Sequence, residues 1–186
     1  MELFPTLSLG LLNGWLLLLL FYIVYGVLLF IFPKEVRDRL YDRTGWSQKH
    51  RRIALISAPF AFLALILVTL TPLKIGSPVF IVGISLYAIG MVDFVKALFD
   101  FKAAPQDQPA TNGFYRISRN PQWISFALIM VSTAIAVGSW AALLLFAVRI
   151  IATHYRILAE EESCLERYGD SYRNYMRQVP RYLLIV

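Results

Sequence analysis

The chain has 186 residues, of which 58% are hydrophobic and 16% are charged, and its formal net charge is +6. Soluble domains usually carry roughly 25% charged residues. This composition excludes a disordered chain, a nucleic-acid-binding domain of the usual charged kind and most soluble enzymes. The single cysteine, Cys164, excludes an internal disulfide and a cysteine-based metal cage. Length and composition together predict one membrane domain, residues 1–186.

Long apolar runs divide the chain into five predicted membrane spans. A bilayer core is about 30 Å thick, so a helix needs about 20 apolar residues to cross it. The first run is too long for the core of a signal peptide, and we interpret it as a retained span. The spans are predicted at about 7–32, 53–72, 78–101, 121–137 and 139–158. The expected fold is therefore all-α, integral to the membrane, with five transmembrane helices.

The last two spans come from one uncharged run of 28 residues, Pro121–Val148. A single helix of that length would measure about 42 Å, which exceeds the apolar thickness of a bilayer. Gly138 and Ser139 lie within the run and suit a tight turn. The sequence therefore predicts that spans four and five form a helical hairpin.

The distribution of basic residues predicts the orientation of the spans. With five spans, fifteen Lys and Arg residues fall on one side of the membrane and Lys74 alone falls on the other, while Lys96 and Arg149 lie within spans. Short loops rich in Lys and Arg usually stay cytoplasmic. We therefore expect a multi-pass protein with its N-terminus outside and its C-terminus in the cytoplasm, in the plasma or inner membrane if the source is prokaryotic.

Two polar segments, 102–120 and 159–182, are predicted to meet on the cytoplasmic side, where a binding site can be assembled. The second segment is charged and rich in tyrosine. Helix breakers at Gly169 and Pro180 divide it into two short predicted helices. These helices are Glu160–Tyr168 and Asp170–Gln178.

The residues before the fourth span have the character of an anion-binding helix start. Gly113 permits close approach of the backbone to a ligand. Pro121 suits the first helical turn, with Asn120 at or near the cap. Free N–H groups at a helix start attract a carboxylate or a phosphate, and Arg116 and Arg119 add positive charge. The alternative is a capped helix start at the membrane interface, with arginines that extend to the headgroups.

Three successive acids, Glu160, Glu161 and Glu162, follow the fifth span. They are poorly suited to anchoring at an anionic membrane face. They could bind a cationic ligand such as an ammonium or sulfonium group, or they could be solvated charges along a helix. No set of metal ligands with recognisable spacing accompanies them, so we predict no metal site.

Three ionisable residues lie near the cytoplasmic end of the fifth span: His154, Arg156 and, about two turns deeper, Arg149. Ionisable residues within a membrane usually face other helices or a wet cavity. Their expected partners are the charged residues of the third span, Asp93, Lys96 and Asp100. A functional site and a purely structural polar cluster are both compatible with this pattern.

Two motifs resemble the signature of a known family. The sequence GFYRISRNPQW at residues 113–123 is similar to the pattern G-x-Y-x-x-x-R-[HN]-P-x-Y. From Arg156 onward the chain resembles R-x-x-x-E-E, then F-G-x-x-Y-x-x-Y and finally V-P-R, which ends at Arg181. Both patterns are typical of integral-membrane methyltransferases of the isoprenylcysteine carboxyl methyltransferase type, with phospholipid N-methyltransferases as relatives. The resemblance covers roughly residues 110–182.

The resemblance implies a helical membrane enzyme that binds S-adenosylmethionine at the cytoplasmic ends of its last spans. It also implies which residues shape the cofactor pocket, namely Gly113, Tyr115, Arg119, Asn120, Pro121, Glu160 and Glu161. Asn120, Phe114 and Trp123 depart from residues that are frequent at these positions in the family, so the acceptor stays open.

The predicted function is methyl transfer from S-adenosylmethionine to a lipophilic or membrane-partitioned acceptor. The acceptor group could be a carboxylate, a thiol, an amine or a phenol, and the expected partners are the lipid bilayer and a lipophilic small molecule or lipid, with no nucleic acid. We assign Arg156 as a charge on the acceptor side or as a brace of the pocket, and His154 as the candidate general base. The alternatives are a non-catalytic membrane scaffold and a small transporter.

Overall fold

The computed structural model describes residues 1–42 and 48–183, without the side chains of His50 and Arg51. These residues form seven α-helices and a short 3₁₀ helix, and they contain no β-strand. The α-helices are α1 (Trp15–Ile31), α2 (Lys34–Leu40), α3 (Gln48–Leu70), α4 (Pro78–Ala103), α5 (Pro121–Ala136), α6 (Trp140–Tyr168) and α7 (Asp170–Gln178). The 3₁₀ helix covers Gly113–Arg116. The all-α prediction is confirmed for the described part of the chain.

Three of these helices are long and apolar enough to cross a membrane. They are α4, α6 and the Arg52–Leu70 part of α3. The apolar helices α1 and α5 are shorter, with 17 and 16 residues, or about 25 Å each at 1.5 Å per residue. The count of five transmembrane helices therefore stays a prediction.

Helix α1 begins at Trp15, although the first apolar run predicts a span from about residue 7. The segment before it is bound to the end of α3, because the Asn13 side-chain amide donates to the Thr69 carbonyl (3.3 Å); the same amide also donates to the Ser8 carbonyl within the segment (2.6 Å). The Gly14 N–H donates to the Thr71 carbonyl. Because Thr69 and Thr71 are distant in sequence, these contacts are not visible in the hydropathy pattern, which predicts the start of the helix near residue 7.

The predicted turn between spans four and five is present. Gly138 has a φ of +71°, which favours glycine. The Ser139 hydroxyl then caps α6 by accepting from the Ala142 N–H at 3.2 Å. Helix α6 runs without interruption to Tyr168, so the prediction of a separate helix over 160–168 was wrong: no breaker occurs before Gly169, whose φ is +55°. The predicted helix Asp170–Gln178 is confirmed as α7.

The apolar core lies where α4 packs against α5, with α6 against α5 and α3, and α1 against α3. Tyr87 of α4 is buried in this core, and its hydroxyl donates to the Leu17 carbonyl at 2.6 Å. Gly83 allows α4 to approach α5 closely, because a Cβ there would lie 2.5 Å from the Ala136 backbone nitrogen. The core therefore depends on a small residue at this crossing.

We expect Gly83→Ala to destabilise the protein by separating α4 from α5. Its matched control is Gly26→Ala, because Gly26 also lies inside a helix but has nothing within 4 Å of its Cβ position. Alanine should stabilise a helix interior by about 1 kcal/mol relative to glycine, whereas overpacking costs about 1–3 kcal/mol. Thermal unfolding in one detergent measures both. A Gly83→Ala melting temperature equal to that of Gly26→Ala would contradict this account of the packing.

Candidate functional site

A second, smaller core lies at the polar end of the bundle, where the loop after α4 meets α7. Its buried residues include Tyr115, Tyr172 and Tyr175. The Tyr175 hydroxyl donates to the Tyr115 carbonyl at 2.6 Å. Burial raises the pKa of all three tyrosines above the ordinary value. This cluster fixes α7 against the segment that carries the first motif.

Gly113 allows the backbone to approach another residue of the protein closely. Its φ is +53°, and a Cβ there would overlap the carboxyl group of Asp100. The same carboxylate accepts from the Phe114 N–H at 2.8 Å and from Lys96 at 3.0 Å. The close backbone approach expected for a ligand is therefore made to Asp100. This contact holds the start of the motif against the end of α4.

A buried ion-pair network joins the first motif to the second. The Arg119 Nε donates to Glu161 Oε1 at 3.0 Å, and both side chains are only 5% exposed. Arg119 also donates to the carbonyls of Met176 and Val179, at 3.0 and 2.7 Å. Arg181 donates to the other oxygen of Glu161 at 2.8 Å, and this hydrogen bond raises the pKa of Arg181. Both carboxylate oxygens of Glu161 therefore have charged partners within the protein.

The chain after α7 runs beside the residues before α5. The Arg119 N–H donates to the Pro180 carbonyl at 2.9 Å, and the Ser118 hydroxyl donates to the Arg181 carbonyl at 3.0 Å. The Asn120 side-chain amide donates to the Arg181 carbonyl at 3.3 Å and does not cap α5. The start of α5 is consequently built from both motifs.

A cavity of about 420 Å³ lies beside this network, within the usual range for small-molecule sites. Four of the residues predicted to bind a cofactor line it, namely Tyr115, Arg119, Asn120 and Glu160. The other three support its wall: Gly113 contacts Asp100, Pro121 is buried at the start of α5, and Glu161 holds Arg119. Cofactor binding by all seven residues stays a prediction.

Glu160 is arranged differently from Glu161, although the two residues are adjacent. Its Oε2 accepts from the Trp123 indole N–H at 2.9 Å, and its Oε1 accepts from Arg156 Nε at 3.0 Å. The Arg156 guanidinium carbon lies 4.4 Å from the centroid of the Trp123 ring. Glu160 therefore faces the cavity with its carboxylate oriented by two donors.

The two predicted catalytic residues lie in different surroundings. Arg156 stacks on Trp123, which lines the cavity, but Arg156 is not itself among the lining residues. The His154 Nδ1 lies 2.8 Å from the Tyr182 hydroxyl. The sequence predicts that this region pairs with Asp93, Lys96 and Asp100 of α4. Lys96 and Asp100 instead form an ion pair with each other. A catalytic role for Arg156 and His154 stays a prediction.

Several residues that line the cavity were not selected from the sequence. Gln122 is one, and its Nε2 is buried with no hydrogen-bond partner among the described residues. Tyr172 and Cys164 are others. Arg39 of α2 also reaches the cavity, and its guanidinium stacks on Phe101 at 4.6 Å. The spacing of the tyrosines in α7 could have indicated Tyr172 as a site residue. Nothing in the sequence of α2 indicated that Arg39 lies near the two motifs.

Within the described ranges, no group of three or more His, Cys, Asp or Glu side chains is arranged to hold a metal ion. The polar side chains at the cavity include carboxylate, guanidinium, amide and hydroxyl groups. These groups suit an organic ligand that carries both charge and hydrogen-bonding groups.

The helices that can span a bilayer indicate an integral membrane protein, and a cavity lies at their polar end. A family model described as phospholipid methyltransferase matches residues 68–171. The chain therefore belongs to the phospholipid methyltransferase family, a family of membrane methyltransferases, and the predicted relationship is confirmed. Searches of curated proteins and of solved structures gave no significant match.

Proposed function

We propose that this protein transfers a methyl group from S-adenosylmethionine to a lipophilic or membrane-partitioned acceptor. The single observation that carries the proposal is the cavity of about 420 Å³ at the junction of the two motifs, in a chain that belongs to a methyltransferase family. The acceptor group is a carboxylate, thiol, amine or phenol.

The chemistry of the lining fits this cofactor. The Nε2 of Gln122, which has no hydrogen-bond partner among the described residues, is a donor suited to a carboxylate. The oriented carboxylate of Glu160 suits an ammonium group or ribose hydroxyls. Tyr172 and Tyr115 offer aromatic surface for the adenine. Burial of an amide N–H without a hydrogen-bond partner destabilises the folded protein. A ligand that accepts a hydrogen bond from this N–H removes the penalty.

The chain contributes orientation and charge to the proposed reaction. The cofactor, when bound, supplies an activated methyl group, so the protein has mainly to align the acceptor. Arg156 is held by Glu160 and Trp123, two residues that line the cavity, and its positive charge lies behind them. A carboxylate acceptor needs no base there. For a thiol or an amine, His154 with the Tyr182 hydroxyl is the candidate pair for accepting a proton.

The proposed topology has the cavity on the cytoplasmic side and the N-terminus outside. Two contacts support an arrangement in which Lys74 and the chain start share the opposite end. Lys74 binds the Glu2 carboxylate at 2.7 Å, and the Glu2 N–H donates to the Gly138 carbonyl at 2.8 Å. The N-terminal residues therefore lie beside the turn of the α5–α6 hairpin, away from the polar site.

We expect Glu160→Gln to weaken S-adenosylmethionine binding about tenfold to a hundredfold. The reason is that one charge-assisted hydrogen bond contributes roughly 1.5–3 kcal/mol, and about 1.4 kcal/mol corresponds to a tenfold change. Calorimetric titration of the cofactor into purified wild-type and variant protein measures the effect. The matched control is Glu162→Gln, because Glu162 is exposed. Absence of cofactor binding by the wild-type protein would overturn the proposed function, and equal affinities of the two variants would overturn the role of Glu160.

A further inference from the structure

The cavity at the junction of the two motifs has two chemically different ends. Glu160 and Tyr168 of α6 both line it, and at 1.5 Å per residue they lie about 12 Å apart along the helix axis. Near Glu160 the lining is polar, and Trp123 donates to its carboxylate. Near Tyr168 the lining is aromatic and apolar, because Phe101 and Ala110 belong to the same packed cluster. The part formed by Phe101, Ala110 and Tyr168 is here called the aromatic end.

Arg39 of α2 holds the chain that follows α4 at this aromatic end. Its Nη1 donates to the Pro105 carbonyl and its Nη2 donates to the Gln108 carbonyl, both at 2.9 Å. The guanidinium carbon lies 4.6 Å from the centroid of the Phe101 ring. The segment 104–110 belongs to no helix of the described chain, so contacts of this kind determine its position.

The end of α2 is itself fixed to two other helices. The Tyr41 hydroxyl lies 2.6 Å from the Tyr25 hydroxyl of α1. Asp42, which also lines the cavity, forms an ion pair with Arg167 of α6. Helix α2 lies outside both motifs and precedes residues 68–171, which the family model matches. The family relationship therefore assigns no role to this wall of the cavity.

We propose that the adenosine part of the cofactor occupies the aromatic end, and that Arg39 is a positioning residue that fixes the segment 104–110 as its wall. This inference rests on the proposed function. The amino-acid group and the adenine of S-adenosylmethionine lie at opposite ends of the molecule. Because Glu160 suits the charged or hydroxyl-bearing part, the adenine extends along α6 toward Tyr168. Aromatic rings pack favourably against each other, and Phe101 and Tyr168 supply such surfaces.

An arginine is suited to this role in a way that a lysine is not. A guanidinium is planar and has several donors in fixed directions, so it can bind two carbonyls and stack on a ring at the same time. The bonds to Pro105 and Gln108 fix the segment on both sides of its turn. Without them the segment has to be ordered when the cofactor binds. Ordering the backbone of even one residue costs about as much as a tenfold change in affinity.

Binding of methylthioadenosine tests the proposal, because this probe has the adenosine part of the cofactor without its amino-acid group. We expect Arg39→Lys, which keeps the charge but loses the fork, to weaken binding of both methylthioadenosine and S-adenosylmethionine about tenfold. Ligand-observed NMR on the purified protein in detergent measures both affinities. The matched control is Arg37→Lys, because Arg37 lies on the same helix and does not line the cavity. It should bind both probes as the wild-type protein does.

Hydrogen exchange distinguishes positioning of the segment from a general loss of stability. In Arg39→Lys without ligand, amides of the segment 104–110 should exchange faster, whereas α4 should keep its protection. Faster exchange in both would overturn the positioning role. Equal affinities of Arg39→Lys and Arg37→Lys for methylthioadenosine would overturn it as well.

The wild-type protein provides a test that does not depend on the folding of any variant. Methylthioadenosine should slow exchange in the segment 104–110 and leave the connection between α3 and α4, at the opposite end of the bundle, unchanged. Wild-type protein that binds S-adenosylmethionine without protection of this segment by either probe would overturn the inference alone. Wild-type protein that binds methylthioadenosine with this protection but does not bind S-adenosylmethionine would overturn the proposed function.

Discussion

Replacement of Glu161 by glutamine is expected to destabilise the polar end of the protein by about 3–5 kcal/mol, because it removes one partner of a buried ion pair. Arg119 would keep its charge while its side chain is only 5% exposed. Arg181 would lose the carboxylate that fixes the chain after α7. We therefore expect α7 to lose its fixed position against the first motif while the long helices persist.

Hydrogen exchange detects this change, because local opening exposes backbone amides without unfolding the whole protein. Exchange of amides in α7 should accelerate in Glu161→Gln, and exchange in α4 should not. Glu162→Gln is the control for the loss of one carboxylate from the same helix, since Glu162 is exposed. Unchanged protection of α7 in Glu161→Gln would show that the ion-pair network does not hold this helix.

The different roles of Glu160 and Glu161 were beyond the reach of the sequence. Adjacent residues on a helix point about 100° apart, so Glu160 and Glu161 need not have the same partners. Which partner each would meet depends on Arg181, which is distant along the chain and returns to α6 only through the fold. The family motif treated the two acids alike, whereas the structure gives Glu161 two arginines and leaves Glu160 facing the cavity.

Local signals were sufficient where the backbone itself determines the outcome. The Gly138-Ser139 turn and the end of α7 before Pro180 were predicted from residue type alone and are present. The start of α1 was not predictable in this way, because Asn13 and Gly14 donate to the carbonyls of Thr69 and Thr71, which are distant in sequence. The continuity of α6 through Glu160 has a different cause: the change from apolar to charged residues there includes no helix breaker, so the helix continues to Tyr168.

Removal of the chain after Gly169 is expected to abolish cofactor binding while membrane insertion persists. The truncation deletes α7 and with it the tyrosine wall of the cavity, including Tyr172 and Tyr175. It also removes the carbonyls of Met176 and Val179, which accept from Arg119. The apolar helices α1 and α3–α6 are all retained, so the protein should still resist extraction from membranes at alkaline pH.

The matched control ends the chain after Leu183 and removes only residues 184–186, so every described contact of α7 and of the following segment remains. It should bind S-adenosylmethionine with the affinity of the full chain in a calorimetric titration. Full affinity in the protein that ends at Gly169 would show that Tyr172 and Tyr175 are no part of the cofactor site. The cavity at the junction of the two motifs would then have to serve another ligand, because its α7 wall would be dispensable for cofactor binding.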